Sequence, residues 1–402
     1  MPSRRDFLKC SALLGTAASF PIRFALAQEN TTPKTDDPLF AKPHRDIRVT
    51  NPKSRVIAIP DVPLANGKAY KVLKGDFHMH TLYSDGTVMP KVRVQEAIEN
   101  GLDCIAITDH IEYRPHLGGN SIKLVEGNDD HNMAYNIAKP EAEKSNLILI
   151  RGTEITKSTM PPGHFNTIFI KDANPIAEVV NDWKKMLAVA ADQGGFVTWN
   201  HPGWVAPTSG GLAAGVPMAF TAEHEDVRKK GHLHGIEAFN ETDYYPIVPD
   251  WCNELDLSVL ACSDIHPSEL QQYGVQNIRR PMTLILAEDR TEEAIREAFF
   301  AHRTIGWAAD MIFGRPEWVE KLFRANIEFG ANGLKNKGDI PMRLQVGGKD
   351  YELKPKGEVT TEYVDSNEKI RITNWFVGTN KPLELTAGSV FTHRVSSLRR
   401  SP

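Results

Sequence analysis

The chain has 402 residues, 41% hydrophobic and 24% charged, enough for one large globular domain and a smaller one. Its formal net charge is −4, and residues 1–27 hold four basic side chains against one acidic, so the remainder carries 43 basic and 50 acidic residues, a net of −7. With no basic surplus to track a phosphate backbone, the composition argues against a nucleic-acid partner.

The first 27 residues read as a targeting signal. Ser3-Arg4-Arg5-Asp6-Phe7-Leu8-Lys9 is a twin-arginine pattern, a modestly apolar stretch follows, and Ala25-Leu26-Ala27 supplies the small residues of a cleavage site. The apolar stretch is too short for a permanent span, so no stable membrane insertion is expected after signal removal. The expected transient partner is the twin-arginine (Tat) export machinery and the expected location is the periplasm. Residues 28–67, rich in Pro, Asn, Thr and Asp, read as a linker with one short extended run at 55–59.

From residue 68 to 312 apolar runs alternate with amphipathic stretches, the rhythm of a parallel sheet with crossover helices. Helix-like stretches cover 90–100, 175–193 and 291–302, while apolar runs end at His78 and His80, His110, Glu154, His201 and Asp264. Residues 313–402 change character: a helical segment near 316–325 precedes short strand-like runs at 342–346, 369–376 and 383–392, read as a small C-terminal β domain. Cys104 and Cys262 lie inside apolar runs, so core thiols, not a disulfide scaffold, are expected of the cysteines, Cys252 included.

Nine side chains of metal-ligand type punctuate this region: His78, His80, Asp85, His110, Glu154, His164, His201, Asp264 and His266. Side chains two apart in a strand face the same side, so His78 and His80 point together, as do Asp264 and His266 if the strand persists. Strand-end ligands converge when strands are parallel and the sheet curls into a barrel, whose C-terminal rim gathers them. The set exceeds the roughly three or four protein ligands of one ion, pointing to two or three metals. Asp85, within Ser84-Asp85-Gly86, fits a turn residue as well as a ligand. With nitrogen and oxygen donors but no thiolate, Mn²⁺, Fe²⁺ and Zn²⁺ are all admissible; Mn or Fe is favoured because loading before export protects a weaker-binding metal.

Phe77-His78-Met79-His80, Ser84-Asp85-Gly86, Thr108-Asp109-His110, Gly152-Thr153-Glu154, Gly163-His164-Phe165-Asn166, Asn200-His201-Pro202 and Ser263-Asp264-Ile265-His266 resemble, in order, the successive motifs of the PHP (polymerase and histidinol phosphatase) family over roughly residues 70–310. The resemblance implies an α/β fold, a distorted (β/α)7 barrel followed here by the small β domain, with a trinuclear site hydrolysing phosphate esters. Carried over by motif, His78, His80, Glu154 and Asp264 would hold the first metal, Glu154, His164 and His201 the second, and Asp85, His110 and His266 the third. Some members carry His where this chain has Asp85, which bears on the third site's metal preference. The chain also resembles an exported subgroup that includes phosphodiesterases of small organophosphate diesters.

Such a site favours in-line attack by a metal-bridging hydroxide on a small-molecule phosphate ester, with Asp264 and Glu154 as its central carboxylates. Asp109 is a candidate acceptor for orienting a ligand imidazole. Substrate contacts are expected on loops after the ligand-bearing strands: Tyr113 and Arg114 after His110, Lys157 after Glu154, Trp204 after His201, and Asn240 at the end of the run 235–239. Arg114 is the first choice for a phosphate clamp and His116 a candidate proton donor to the leaving alkoxide. His232 and His234 precede their strand, at the opposite face. Room lined by Tyr113, Trp204, Tyr244, Tyr245 and Trp251 would suit a diester, the favoured substrate. The alternative is a phosphomonoester, as in histidinol-phosphatase-like or nucleotide-phosphatase-like chemistry. Two more distant alternatives are an amidohydrolase-type hydrolase, which also begins with His-x-His, and a non-catalytic metal-stabilised binding protein.

Overall fold

In the computed structural model of the protein the described residues are 37–43, 57–117, 123–125, 129–276, 278–329, 333–361 and 365–390. The twin-arginine segment and its cleavage site lie outside them. Seven strands form the central sheet: β1 Ala69–Asp76, β2 Cys104–Ile107, β3 Ile148–Thr156, β4 His164–Ile168, β5 Phe196–Trp199, β6 Gly235–Asn240 and β7 Ser258–Cys262. Each pairs with the next in sequence, and all pairs are parallel except the two that β4 makes. The reversal has a local cause. Residues 157–163 are too few for the crossover helix that a parallel partner requires, so β3 and β4 form a hairpin.

The ring closes between its first and last strands by one parallel bridge, Met79 with Ile265, in which His80 N–H donates to Ile265 C=O at 3.0 Å. Below that bridge the two strands part. There β8 (Met282–Ala287) pairs antiparallel with β1, and the Thr283 hydroxyl donates to Ala261 C=O and accepts from Ala261 N–H, both at 3.0 Å. The barrel is therefore distorted at this seam. The sheet continues from β8 through β9 (Thr304–Ala308) and β10 (Met311–Gly314) into the C-terminal strands β11 (Met342–Val346), β12 (Lys349–Leu353), β13 (Lys369–Phe376) and β14 (Pro382–Thr386). The expected boundary between residues 312 and 313 falls inside β10, because that strand pairs with β13 and carries one sheet across both parts. Gly347 and Gly348, at φ 59° and 72°, make the two-residue turn between β11 and β12 that other residues resist.

Helices cover the outside: α1 Pro90–Glu99, α2 Met133–Lys144, α3 Trp183–Asp192, α4 Ala222–Lys229, α5 Val248–Leu255, α6 Glu292–Phe300 and α7 Pro316–Asn326. The stretch expected as one helix over 175–193 divides into a turn at Asn174–Ala177 and α3, whose start is capped by Asp182 accepting from Lys185 N–H at 3.1 Å. The strand expected over 383–392 ends at Thr386 and turns helical at Ala387–Val390. Of the extended run expected at 55–59, residues 55 and 56 lie outside the described residues and 57–59 form no strand; Val62–Pro63 pairs with the start of β1. Among the described residues no helix is long and apolar enough to cross a membrane. Cys104, Cys252 and Cys262 are free and buried.

The barrel's lower interior is filled from α6. Phe299 meets Phe77, Phe169 and Phe196 edge-on at centroid distances of 4.8, 5.5 and 5.0 Å. Two histidines, His224 buried and His234 half-buried, stand apart from the ligand set. His224 rests on Trp199 at 3.9 Å with its Nε2 3.0 Å from Pro162 C=O, and His234 Nδ1 accepts from Val197 N–H at 3.0 Å. Burial holds each down, to about 4 from an ordinary 6.5. The folded state thus binds fewer protons than the unfolded state between those values, and stability falls as pH drops from about 6.5 towards 4. For His224 alone the loss reaches about 2 kcal/mol at pH 5. Urea unfolding at pH 7 and pH 5 should show a smaller acid loss in His224→Gln than in the wild type; an equal loss would remove His224 as its source.

Candidate metal centre

All nine candidate ligands gather at one end of the barrel, where β1, β2, β3, β5 and β7 finish. His164 reaches the same rim from the first residue of β4, because an antiparallel strand starts where its neighbours end. His201 and Asp264 leave their strands in the left-handed region, at φ 28° and 48°, turning their side chains into the cluster. Glu154 sits within β3, and its carboxylate is the hub: Oε2 lies 3.2 Å from His78 Nε2, 3.3 Å from His80 Nε2 and 3.1 Å from His110 Nδ1, and Oε1 lies 2.9 Å from His164 Nδ1. Asp264 Oδ1 lies 3.0 Å from His78 Nε2 and 3.1 Å from His80 Nε2.

Three overlapping sets of donor atoms are compact enough to hold an ion: His80, Asp85, His110 and His266; His78, Glu154 and His201; and His78, His80 and Asp264. The expected trio Asp85, His110 and His266 comes together with His80 added. The expected quartet divides, Glu154 grouping with His78 and His201. His164 touches Glu154 but joins none of the three sets.

The side chains fit metal ions on two observations. First, Asp85 Oδ1 is buried and makes no hydrogen bond, yet His266 Nε2, His110 Nε2 and His80 Nδ1 face it at 3.3, 3.4 and 3.6 Å. Ligand atoms about 2.1 Å from a tetrahedral ion lie about 3.4 Å apart, so the spacing suits a shared cation. Second, the far ring nitrogens are fixed by oxygen acceptors, as metal-binding imidazoles require. His78 Nδ1 faces Glu237 Oε1 at 2.8 Å, His266 Nδ1 faces Asp264 C=O at 2.9 Å, and His164 Nε2 faces Ser209 C=O at 2.6 Å. Each ring's other nitrogen is thereby left as a lone pair aimed at the cluster. A Cβ at Gly210, at φ 88°, would fall 1.8 Å from Lys157 C=O and 2.9 Å from His164 Nε2, so only glycine lets this loop reach the ring.

Electrostatics agree. Burial pushes His78 down, but the carboxylates of Asp264, Glu237 and Glu154 outweigh it and hold the ring well above its ordinary value. Burial likewise opposes ionisation of Glu154, and His110 and His78 overcome it. Divalent ions would take the place of those imidazole protons.

Glu237 is absent from the sequence reading. It lies in β6, fully buried, and its Oε2 accepts from His201 N–H and Asn240 Nδ2, both at 2.8 Å. The available signal was a lone acid inside the apolar run Gly-Ile-Glu-Ala-Phe, which cannot be buried without partners. The Asp109 carboxylate accepts from Thr81 N–H, Thr81 Oγ1 and Ser84 Oγ, each at 2.6 Å, and faces a ligand imidazole through Ser84, which lies 3.3 Å from His80 Nδ1, while its backbone C=O accepts from Glu154 N–H at 3.1 Å.

A cavity of about 750 Å³ opens over the cluster, its wall including Tyr113, Lys157, Trp204, Asn240 and Glu241. Trp204 packs on His201 and His164 at 5.0 and 5.5 Å, and Tyr113 lies 6.1 Å from His110. Asn240 is turned inward onto Glu237, and Lys157 Nζ is held by Glu112 at 2.8 Å and Val180 C=O at 2.6 Å. Arg114 and His116 are not among the lining residues. Arg114 donates to Tyr83 C=O at 3.2 Å and Asp130 C=O at 3.4 Å. The expected phosphate clamp and proton donor are thus not on the wall of this cavity. Glu112 and Glu241, both on the wall, were not anticipated.

The PHP domain family model matches residues 76–196. The crystal structure of a two-domain protein containing a predicted PHP-like metal-dependent phosphoesterase from Bacteroides vulgatus is 33% identical, covers 82% of this chain and 97% of its own, and superposes with a TM-score of 0.72. The chain belongs to the PHP family. A structure from Bifidobacterium adolescentis (17% identity, 48% of this chain, 88% of its own, TM-score 0.36) and an amidohydrolase from Chromobacterium violaceum (13%, 48%, 87%, 0.36) are also matched. No curated protein matches. In this PHP chain Glu237 fixes one ligand imidazole and one ligand backbone, so Glu237→Gln should weaken Mn²⁺ affinity by ~10–100-fold in calorimetric titration. Unchanged affinity would make the contact structural only.

Proposed function

We propose that the protein is a metal-dependent phosphoesterase of the periplasm that hydrolyses a small phosphodiester. The observation that carries the diester preference is the charge of the cavity. Among the described residues its wall holds one lysine and no arginine, and that lysine is already paired with Glu112. A monoester dianion rewards several fixed cations, whereas a diester has one ionised oxygen and needs room for a second substituent. Trp204, Tyr113 and Val180 offer that room an apolar wall.

When bound, divalent ions would acidify water and neutralise charge on the phosphoryl oxygens. His78, His80, Asp85, His110, Glu154, His164, His201, Asp264 and His266 would hold three such ions. The chain's own contribution is alignment: Glu154 and Asp264, each facing several imidazoles, keep the donor sets at fixed separation, and Trp204 packed on His164 and His201 excludes water from one side.

The test is turnover of bis(4-nitrophenyl) phosphate against 4-nitrophenyl phosphate on protein reconstituted separately with Mn²⁺, Fe²⁺ and Zn²⁺. We expect kcat/KM to favour the diester by about tenfold or more, ~1.4 kcal/mol of transition-state preference. Faster monoester cleavage would move the assignment to a phosphatase. Asp264→Asn should lower kcat by ~10³-fold or more, as loss of a central metal carboxylate removes the reacting arrangement. The nitrogen and oxygen donor set admits Mn, Fe and Zn, and loading before export favours Mn or Fe as the native metal; protein from its native compartment filled by zinc alone would overturn that.

A further inference from the structure

Arg93 lies in the first turns of α1, is fully buried and is not among the residues that line the cavity. A guanidinium has five N–H donors in a planar fork, and this one uses them on one acceptor of its own helix and on four from two other chain segments. Nε donates to His80 C=O at 2.8 Å; Nη1 donates to Pro267 C=O at 2.8 Å and Glu96 Oε2 at 2.7 Å; Nη2 donates to Ile265 C=O at 3.0 Å and His266 C=O at 2.7 Å. Glu96 extends the clasp, its Oε1 accepting from Glu269 N–H at 2.7 Å. Burying a cation against four carbonyls and one carboxylate is expensive unless every donor is met. The two segments clasped here are the two that the sheet joins by a single bridge, Met79 with Ile265.

Those segments carry His80 and His266. The two rings stack at 4.2 Å, and both face Asp85 Oδ1. The contacts that fix their separation are local: the one bridge, Asp264, whose C=O faces His266 Nδ1 at 2.9 Å and whose Oδ1 faces His80 Nε2 at 3.1 Å, Thr87 N–H donating to His266 C=O at 2.9 Å, and the guanidinium, the one side chain among these that grips the backbone of both segments at once. By contrast, His78, Glu154 and His201 make no contact with Arg93, and strand ladders and Glu237 place them. We propose that Arg93 is a positioning residue that sets the geometry of the His80, Asp85, His110 and His266 group across the barrel seam, and with it the affinity of that group for a divalent ion. The inference rests on reading that group as a metal site.

Lysine keeps the charge but offers three donors on a point ammonium and cannot span the four carbonyls. Mn²⁺ titration of the full chain, with metal counted per chain, is made on wild type, Asp85→Asn and Arg93→Lys. Asp85→Asn identifies the sites that depend on this group. Arg93→Lys is expected to weaken those same sites by ~10–100-fold, the range for residues that orient metal ligands, and to leave the remaining sites at wild-type affinity. A merely structural arginine would lower Tm without changing the ratio between the two classes. If Asp85→Asn removes sites and Arg93→Lys does not, the inference falls while the metal reading stands. If neither changes binding, that group holds no ion and both fall together. Should Arg93→Lys fail to fold, Glu96→Gln, which loosens the clasp from its far side, is expected to weaken the same class about tenfold; full affinity in a folded Glu96→Gln would overturn the proposal.

Discussion

Six imidazoles and three carboxylates crowd one barrel rim, and most are nearly inaccessible to water, with His78, His80 and Glu154 wholly buried. Such a cluster is unstable unless each charge meets an opposite one and each ring nitrogen has a defined role. Much of the upper barrel answers that constraint. Glu237, Ser209 C=O and Asp264 C=O fix the far nitrogens, Asn200 donates to Glu154 Oε1 at 3.2 Å, and the antiparallel turn of β4 delivers His164 from the opposite chain direction. The fold and the charge problem share one solution, because every ligand but Asp85, which a loop supplies, sits at or near a strand end whose backbone is already satisfied by neighbours.

The seam between β1 and β7 is where that rigidity thins. A regular barrel would ladder these strands along their length. Here β8 occupies the lower half, and the Thr283 hydroxyl serves both backbone groups of Ala261 in place of a strand. Buried Asp76 is paired with Arg280 beside Ser263, which also donates to Asp76 Oδ2 at 2.5 Å. Polar side chains thus take over from backbone pairing. The exchange couples the sheet that leads into the C-terminal strands to the segments bearing His80 and His266, so the smaller β part helps brace the barrel that holds the site.

The sequence revealed the ligands and the barrel because both are written in local periodicity: apolar runs ending in His, Asp or Glu identify strand ends one by one. It did not reveal the direction of β4, although the short stretch 157–163 between two strand runs was the physical clue. Helix α2 escaped notice because its buried face is Ala134, Ala138 and Ala142, a stripe too weakly apolar to register, interrupted by Pro140. Glu237 was missed because reading strand ends draws attention away from mid-strand acids. That Arg114 and His116 do not line the cavity has a different reason. A loop's sequence position says which rim it leaves from, but a long side chain there goes wherever carbonyl acceptors are nearest, and for Arg114 those belong to Tyr83 and Asp130.

That asymmetry explains why the chemistry is easier to reach than the substrate. Metal-binding side chains must converge within a few ångströms, so their types and spacing are constrained by strand geometry and survive as a pattern in the chain. Substrate contacts are made by loops, where the useful quantity is the net character of a wall and no single spacing encodes it. The wall here combines aromatic rings beside the ligand imidazoles with an outer ring of neutral hydroxyl and amide groups and two carboxylates, Glu112 and Glu241. Glu112 is neutralised by Lys157, while Glu241 stands exposed at φ 50°. A substrate with several negative charges would meet Glu241 without a fixed cation to offset it, so the charge that binding must neutralise is best confined to one phosphoryl group placed at the rim.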